Sequence, residues 1–370
     1  MQYNVISADD HLDMNWLPRD LWQSRVPSNL RQRAPRVEDT AEGPVWLCDG
    51  AKLATWGPRP RSVEGRPDAF DHAYDRERLR PSNPKLRLED MDRDGVDASV
   101  IFGPSSTWFS VEPELNNACQ QAYNDWLAEF CAAAPERLLG VGLLSKDDPA
   151  AAAAEVRRLA RIGVRQAMFV MAKADPPVYE PEWDVLWEAA CETGVQLSSH
   201  FFIGVDPSPR PPKNLLGHEG ARMTLDPVTQ LGPLAGLIFA GVFERFPRLM
   251  LHVAETGIGW VPFALQRMDH CYKLYQQRRE YWETRGGFQL TKLPSEYFKA
   301  HIRMTYQEDS VGLRLLPLIG EDIVMWASDY PHPDSTWPRS QQTIQEELAD
   351  LSEPVRRKVL IDTTPARCID

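Results

Sequence analysis

Short apolar segments alternate with longer segments of helical periodicity along most of the chain. A short apolar run bounded by polar residues is typical of a buried strand, whereas apolar residues spaced by three and four are typical of a helix. This pattern predicts eight strands, at residues 5–8, 98–102, 139–143, 166–170, 195–199, 249–253, 302–306 and 323–327. The intervening and closing helices are predicted at residues 86–95, 112–134, 149–161, 181–193, 227–243, 259–279, 310–318, 341–351 and 354–361.

Eight strands alternating with helices indicate the α/β class. Parallel strands joined by right-handed crossovers close into a (β/α)8 TIM barrel when there are eight of them. The alternative is an open doubly wound sheet, which is disfavoured because no G-x-G-x-x-G turn follows the first predicted strand. We therefore predict a TIM barrel.

Two segments interrupt the alternation. Residues 18–84 are rich in Pro, Arg and Trp, and residues 203–224 are rich in Pro and Gly. Because such long connections without structure are uncommon in compact domains, we predict that both are insertions covering the barrel mouth at the carboxyl ends of the strands. In the first, Trp46, Trp56 and Phe70 either line a pocket or pack at the surface. The chain is predicted to be one domain over residues 1–370.

Polar side chains stand where four of the predicted strands end. A single His or Asp in such a place is commonly a hydrogen-bonded structural group or a cap. The carboxyl ends of barrel strands converge on one rim, however, so the side chains are expected to meet. Carboxylate oxygens and imidazole nitrogens are ligands for Zn²⁺ or Mn²⁺. The sequence therefore predicts a metal site built from Asp9, His11, His200, His252 and Asp329.

The neighbours of these residues receive separate roles. Asp9 and His11 share one strand face because alternate residues point the same way, so Asp10 points away and is predicted to be structural. Glu255 lies three residues after His252. There it either accepts a hydrogen bond from that imidazole and fixes its tautomer, or caps the helix that follows.

Composition restricts the classes of partner. The chain has 43% hydrophobic residues, 25% charged residues and a net charge of -12. Nucleic acids and anionic membranes require a basic face, so neither is expected as a partner, whereas a small-molecule substrate is. The six cysteines are scattered without a CxxC pair, and no apolar run approaches 18 residues. Together with the absence of a signal-peptide pattern, this favours a cytoplasmic location.

The motifs around these residues resemble the metal-dependent amidohydrolase superfamily. They are I-S-A-D-D-H-L, L-E-D-M-D-R-D-G-V-D-A-S-V-I-F, P-E-R-L-L-G-V-G-L-L, G-V-Q-L-S-S-H, L-H-V-A-E-T-G-I-G-W-V-P and A-S-D-Y-P-H. The similar branch contains aminocarboxymuconate semialdehyde decarboxylase and the γ-resorcylate and 5-carboxyvanillate decarboxylases. The resemblance implies a barrel of the metal-dependent hydrolase type and makes a homodimer or larger homo-oligomer an expectation.

The same resemblance implies specific site residues. It assigns the metal to Asp9, His11, His200 and Asp329, and it matches His252 with Glu255 to a histidine and its acid partner near the metal. Position 9 departs from the benzoate-type decarboxylases, which carry Glu, so Asp9 binds the metal either directly or through water. Lys173 lies beyond the end of the fourth strand, which favours one metal ion over two.

Three functions remain open at this stage. In non-oxidative decarboxylation of a small aromatic or muconate-like acid, Asp329 donates a proton to the carbon that loses CO₂, and His252 stabilises the developing charge. In hydrolysis of an amide, lactone or ester, Asp329 instead takes a proton from metal-bound water. A catalytically silent binding scaffold is the third. The D-x-H and H-x-x-E patterns favour decarboxylation.

Substrate contacts are predicted more weakly than the metal site. His218 and Arg222 in the second insertion are candidate carboxylate binders, and His332 either reaches the pocket or makes a structural loop contact. Several aromatic residues follow strand ends and are candidates to stack on an aromatic ring, although packing under the loops is the alternative. These are Trp108, Phe109, Phe201, Phe202 and Trp337.

Overall fold

Eight parallel strands form the central sheet of the computed structural model, which describes residues 2–57, 79–104, 112–200, 213–284, 290–332 and 334–364. The described strands in chain order are Ile6–His11 (β1), Arg36–Thr40 (β2), Gly43–Cys48 (β3), Ala51–Thr55 (β4), Ala98–Phe102 (β5), Leu138–Leu143 (β6), Gln166–Met168 (β7), Gln196–His200 (β8), Leu251–Ala254 (β9), Ile302–Tyr306 (β10) and Val324–Trp326 (β11). The central sheet has the order β1-β5-β6-β7-β8-β9-β10-β11, and β2-β3-β4 form a separate sheet.

The first strand of the central sheet is joined by backbone hydrogen bonds to the segment that follows the last strand. The amide of Asp329 donates to the carbonyl of Asp9 at 2.9 Å, and the amide of His11 donates to the carbonyl of Tyr330 at 2.7 Å. Since every ladder in this sheet is parallel and its strands follow chain order, the fold is the predicted (β/α)8 barrel. The open doubly wound alternative is wrong.

The described α-helices surround the barrel. In chain order they are Leu21–Arg25 (α1), Pro84–Asp94 (α2), Pro113–Cys131 (α3), Pro149–Arg161 (α4), Asp184–Thr193 (α5), Leu215–Leu225 (α6), Leu231–Phe239 (α7), Val242–Arg245 (α8), Val261–Gln276 (α9), Arg279–Glu283 (α10), Pro294–His301 (α11), Ser310–Arg314 (α12), Leu316–Ile319 (α13), Ser340–Glu347 (α14) and Glu353–Arg357 (α15). Shorter 3₁₀ turns lie at Met14–Trp16, Arg80–Ser82, Met171–Lys173, Pro181–Trp183 and Asp226–Gln230, and a π-helical turn lies at Lys358–Asp362.

Two of the differences from the predicted elements have clear physical reasons. Strand β1 continues to His11 instead of stopping at residue 8, because its polar end is paired on both sides by β5 and by the segment after β11. The helix predicted at residues 227–243 is divided into a 3₁₀ turn, α7 and α8. Gly241 separates the last two with a left-handed φ of 69°, a conformation that glycine adopts without steric cost.

The three-stranded antiparallel sheet lies within residues 18–84, the first predicted insertion. Trp46 on β3 is fully buried, and its indole N–H donates to the carbonyl of Met14 at 2.6 Å. Its ring also meets that of Trp22 edge-on, with centroids 5.0 Å apart. Trp46 is therefore a core residue and does not line a pocket, while Phe70 lies outside the described residues. The division of the chain into one domain with two insertions stays a prediction.

Asp10 joins the first strand to its neighbours on the outside of the barrel. Its Oδ1 accepts hydrogen bonds from the hydroxyls of Ser7 (2.8 Å) and Ser328 (2.6 Å) and from the amide of Tyr330 (3.1 Å). Its Oδ2 accepts from Ser99 and lies 3.6 Å from Arg87 Nη2. Burial raises the pKa of this carboxyl, while Arg87 and the hydroxyls act in the opposite direction. These contacts support the structural role predicted for Asp10.

We predict that Asp10→Ala lowers the free energy of unfolding by about 3–5 kcal/mol, because it leaves Arg87 and three hydroxyls buried without their shared acceptor. Urea unfolding followed by circular dichroism measures the loss. Asp350→Ala, at an exposed position, is the control and is expected to change stability by less than about 0.5 kcal/mol. Equal effects of the two substitutions would contradict the proposed role of Asp10.

Candidate metal centre

Four side chains bring their ligand atoms together at the carboxyl ends of β1, β8 and β9. Asp9, His11, His200 and Glu255 each offer one ligand atom, and these atoms lie within 4.8 Å of one another. Asp9 Oδ1 is 3.5 Å from His11 Nε2 and 3.7 Å from His200 Nε2. Glu255 Oε2 is 3.0 Å from His200 Nε2. Residues far apart in sequence thus share one small volume.

Asp329, which follows β11, also contacts this cluster. Its Oδ1 lies 2.9 Å from His11 Nε2. A second group of ligand atoms, all within 4.8 Å of one another, contains His11, Glu255, Asp329 and His332. The two groups share His11 and Glu255. Three of the predicted ligands, Asp9, His11 and His200, therefore lie in one group, Asp329 adjoins it through His11, and Glu255 joins the candidates.

Glu255 and Asp329 are both held in left-handed backbone conformations. Their φ angles are 54° and 59°, which residues other than glycine rarely adopt. Each follows the end of a barrel strand, β9 or β11, where the reversal turns the side chain away from the direction of the strand. Such strained residues concentrate at functional sites and are held in place by their surroundings. Here the amide of Glu255 donates to Thr305 Oγ1 at 2.7 Å.

The buried charges of the cluster change the pKa values of its members. Burial lowers the pKa of His200, but Asp9 and Glu255 outweigh it and hold that pKa well above its usual value. Burial and the charge of Asp329 raise the pKa of Glu255 to about 7. Burial also raises the pKa of Asp329, yet His332 and His11 outweigh it and hold that pKa well below its usual range. Three carboxyl groups in one buried volume therefore require nearby positive charge.

The donor set fits a divalent metal ion. Asp9 and Asp329 are fully buried, and Asp9 Oδ1 has no hydrogen-bond partner within the described part of the chain. A buried carboxylate oxygen without a donor is costly unless a cation neutralises it. Mixed carboxylate and imidazole ligands suit Zn²⁺ or Mn²⁺. The residues that would hold the ion are Asp9, His11 and His200, with Glu255 and Asp329 beside them.

His252 has a different partner from the one predicted. Its Nδ1 lies 2.6 Å from Gln166 Nε2, while Glu255 turns toward His200. Of the two alternatives raised for Glu255, the hydrogen bond to His252 is therefore replaced by a contact with His200. Burial lowers the pKa of His252 to about 4, so the ring is neutral at neutral pH. With Nδ1 accepting from the Gln166 amide, Nε2 carries the proton.

His332 and Asp13 extend the cluster toward solvent. The His332 ring stacks on His11 with centroids 3.9 Å apart, and its Nδ1 is 3.0 Å from Asp329 Oδ1. Its Nε2 is 2.8 Å from Asp13 Oδ2, and the two side chains are 22% and 29% exposed. His332 therefore reaches the site, one of the two alternatives raised for it. Asp13 was missed, although its spacing in D-x-H-x-D was the signal for it.

Trp337 does not fit a substrate-binding role. It is 4% exposed, its indole N–H donates to the carbonyl of Asp90 at 3.1 Å, and its ring meets Tyr330 with centroids 5.5 Å apart. These contacts fasten the loop after β11 onto α2, so Trp337 is corrected to a structural residue.

Two further substrate candidates, His218 and Arg222, lie on α6. On α6, Arg222 Nη1 is paired with Asp226 Oδ2 at 3.0 Å. The assignment of Arg222 and His218 to substrate binding stays a prediction. The remaining aromatic candidates, Trp108, Phe109, Phe201 and Phe202, lie outside the described residues.

Curated relatives of this chain are decarboxylases. Decarboxylase orsB of Emericella nidulans is 30% identical over 192 residues, which cover 49% of this chain and 55% of that relative. The 2-amino-3-carboxymuconate-6-semialdehyde decarboxylase of Dictyostelium discoideum is 25% identical over 287 residues, covering 75% and 74%. The γ-resorcylate decarboxylase of Rhodococcus jostii is 25% identical over 268 residues, covering 66% and 76%. The chain thus spans about half of the first relative and about three quarters of the other two.

A solved structure with the same fold contains a metal ion. The 5-carboxyvanillate decarboxylase of Novosphingobium aromaticivorans, with bound manganese and 3-methoxy-4-hydroxy-5-nitrobenzoic acid, superposes with a TM-score of 0.69 at 20% identity, covering 97% of this chain and 94% of that one. The amidohydrolase family model matches residues 63–366, which is more than half of the 370 residues. Because this match takes in most of the barrel, the chain belongs to the amidohydrolase family.

Proposed function

We propose that this protein is a metal-dependent non-oxidative decarboxylase of a small aromatic or muconate-like carboxylic acid. The observation that carries the proposal is the convergence of Asp9, His11, His200, Glu255 and Asp329 within one buried cluster at the carboxyl ends of the strands. The decarboxylase relatives favour this chemistry over the other reactions that such a cluster supports.

The metal would be held by side chains on the strands of the barrel. A divalent ion held there would supply Lewis-acid chemistry to the bound acid. Asp9, His11 and His200 present their ligand atoms from β1 and β8, which are rigid strands of the barrel wall. Sites built on strands hold geometry better than sites built on loops.

Asp329 would pass on the proton that decarboxylation consumes. Its own pKa is held low, so the proton would be stored on His332, where Asp329 and Asp13 outweigh the effect of burial and raise the pKa well above its usual value. When the bond between the ring or chain carbon and the carboxylate breaks, its electron pair stays on carbon and takes up one proton, while CO₂ leaves. Asp329 is wholly buried, but its carboxylate contacts His332, which contacts Asp13. This chain of hydrogen bonds connects the reacting acid to partly exposed groups that can return a proton after each turnover.

His252 would keep its proton, unlike Asp329, and act as a neutral hydrogen-bond donor. Because Gln166 occupies Nδ1 and burial disfavours the charged ring, the protonated Nε2 is available to donate to a substrate oxygen that gains negative charge. No described residue hydrogen-bonds to this Nε2, although it is buried. We assign it to stabilising developing charge on the substrate.

Assembly and location are further parts of the proposal. We infer a homo-oligomer, with a dimer as the simplest form, because several large apolar side chains of α6, α9 and α10 are exposed, including Leu216, Phe263, Tyr281 and Trp282. A cytoplasmic location is supported by the described cysteines, which are free thiols. The described helices include none long and apolar enough to cross a membrane.

Asp329→Asn is predicted to lower the rate of CO₂ release by at least about 10²-fold, because the amide cannot supply the proton. Metal content and the thermal midpoint should stay close to the parent values, since the amide keeps the size and one oxygen of the side chain. Manometric or coupled CO₂ assays measure the rate. The matched control is Asp350→Asn, an exposed aspartate expected to leave turnover unchanged. Substantial residual activity in Asp329→Asn would exclude its proton-transfer role.

Elemental analysis of the purified protein is expected to find about one Zn or Mn per chain. His11→Ala and His200→Ala should each lose most of this metal, because each removes an imidazole ligand from the cluster. His270→Ala, on the exposed face of α9, is the histidine control and should keep it. Full turnover by metal-free protein would refute the proposed chemistry. Binding of another protein by the metal-free chain, without turnover, would favour the catalytically silent binding scaffold.

A substrate panel separates decarboxylation from hydrolysis. Hydroxybenzoates and muconate-like acids are expected to release CO₂ in the presence of Mn²⁺ or Zn²⁺, since the metal cluster and its acid are intact. Esters, lactones and amides of similar size form the second half of the panel. Acid release from these, with no CO₂ from any carboxylic acid, would replace the decarboxylase proposal with a hydrolase.

A further inference from the structure

Thr305, on β10, connects two carboxylates of the candidate metal centre although it is not itself a candidate ligand. Its side chain is fully buried. Its hydroxyl accepts a hydrogen bond from the amide of Glu255 at 2.7 Å and donates one to Asp9 Oδ2 at 3.2 Å. β10 neighbours β9 in the sheet, and β11 lies between β10 and β1, so one hydroxyl reaches the end of β9 on one side and the carboxylate of Asp9 on β1 on the other.

The direction of these two hydrogen bonds follows from chemistry. An amide can only donate, so the hydroxyl oxygen must accept from Glu255. The single hydroxyl proton is then free to point to Asp9 Oδ2, and a carboxylate oxygen accepts it. A threonine or serine at position 305 makes both contacts at once, whereas an apolar residue of the same shape makes neither.

The first consequence concerns which oxygen of Asp9 faces the imidazoles. With Oδ2 occupied by Thr305, Oδ1 is the oxygen directed toward His11 and His200, at 3.5 and 3.7 Å from their Nε2 atoms. Rotation of the carboxylate would break the contact with Thr305. The hydroxyl therefore fixes the orientation of a side chain that is one methylene shorter than the Glu of similar decarboxylases.

The second consequence concerns Glu255. Its left-handed conformation costs on the order of 1–3 kcal/mol and persists only where its surroundings hold it. The hydrogen bond from its own amide to Thr305 is one such restraint, and it acts at the residue whose carboxylate lies 3.0 Å from His200. Loss of the hydroxyl leaves this amide without its acceptor and frees the side chain to move away.

We propose that Thr305 is a positioning residue that orients Asp9 and Glu255 together for metal binding. The inference rests on the proposed metal-dependent function, because the two carboxylates need to be oriented only if they bind a metal ion. Residues that orient metal ligands commonly contribute 10–100-fold to metal affinity, without contacting the ion. Thr305 is thus expected to act on the affinity for the metal more than on the stability of the barrel.

The test compares Thr305→Val, which keeps the shape and removes the hydroxyl, with Thr305→Ser, which keeps the hydroxyl. Each protein is stripped with a chelator, and Mn²⁺ binding is measured by isothermal titration calorimetry. We expect Thr305→Val to bind Mn²⁺ about 10–100-fold more weakly than the parent and Thr305→Ser to stay within about threefold. The thermal midpoint of the metal-free proteins is recorded in parallel as a measure of structure alone.

Several outcomes would overturn the proposal. Thr305→Val binding Mn²⁺ within threefold of the parent would show that the hydroxyl does not orient the ligands. If Thr305→Val does not fold, Thr305→Ala removes the hydroxyl without a branched side chain, and failure of both to fold would make the residue structural. Parent protein that binds neither Mn²⁺ nor Zn²⁺ would end the proposed function as well, whereas normal parent binding with an unaffected Thr305→Val removes this inference alone.

Discussion

Buried carboxylates at the mouth of the barrel are the constraint on which the rest of this structure depends. Asp9 and Asp329 are wholly excluded from solvent, and Glu255 lies beside them. Such a concentration of acids is unfavourable unless positive charge and hydrogen-bond donors compensate it. Imidazoles from three segments of the chain approach the acids, and a divalent cation bound among them would complete the compensation. The need to compensate the buried carboxylates would therefore account both for the stability of the cluster and for its affinity for a cation.

The tripeptide Asp9-Asp10-His11 shows how one strand serves both the site and the fold. Asp9 and His11 point into the cluster, while Asp10 points outward. Asp10 is hydrogen-bonded to Ser7 on its own strand, to Ser99 on β5 and to Ser328 in the segment after β11. The pairing of β1 with β5 shifts register between Ser7 and Asp10, so the strand carries a bulge beside the site. Bulges of this kind re-aim side chains at functional sites.

The strands of the barrel are rigid, and two residues that follow them, Glu255 and Asp329, have left-handed backbone conformations. The carboxylates of these two residues contact His200 and His11, respectively. Each is held by a backbone hydrogen bond to a residue of another strand: the amide of Glu255 to Thr305 and the amide of Asp329 to the carbonyl of Asp9. Since the strands cannot shift without breaking the sheet, these bonds transmit its rigidity to the acids.

Hydrophobic periodicity in the sequence by itself determined the barrel, because buried parallel strands need apolar runs that local residues specify. It also placed Asp9, His11, His200 and Asp329 at strand ends, which a closed barrel necessarily brings to one rim. Tertiary structure alone decided the partners: Glu255 beside His200, Gln166 beside His252, and Asp13 behind His332. These contacts join residues on different strands and loops, and they depend on side-chain direction at bulges and left-handed positions. Nothing in the local sequence pattern specifies that direction, because it is set by the packing of neighbouring elements.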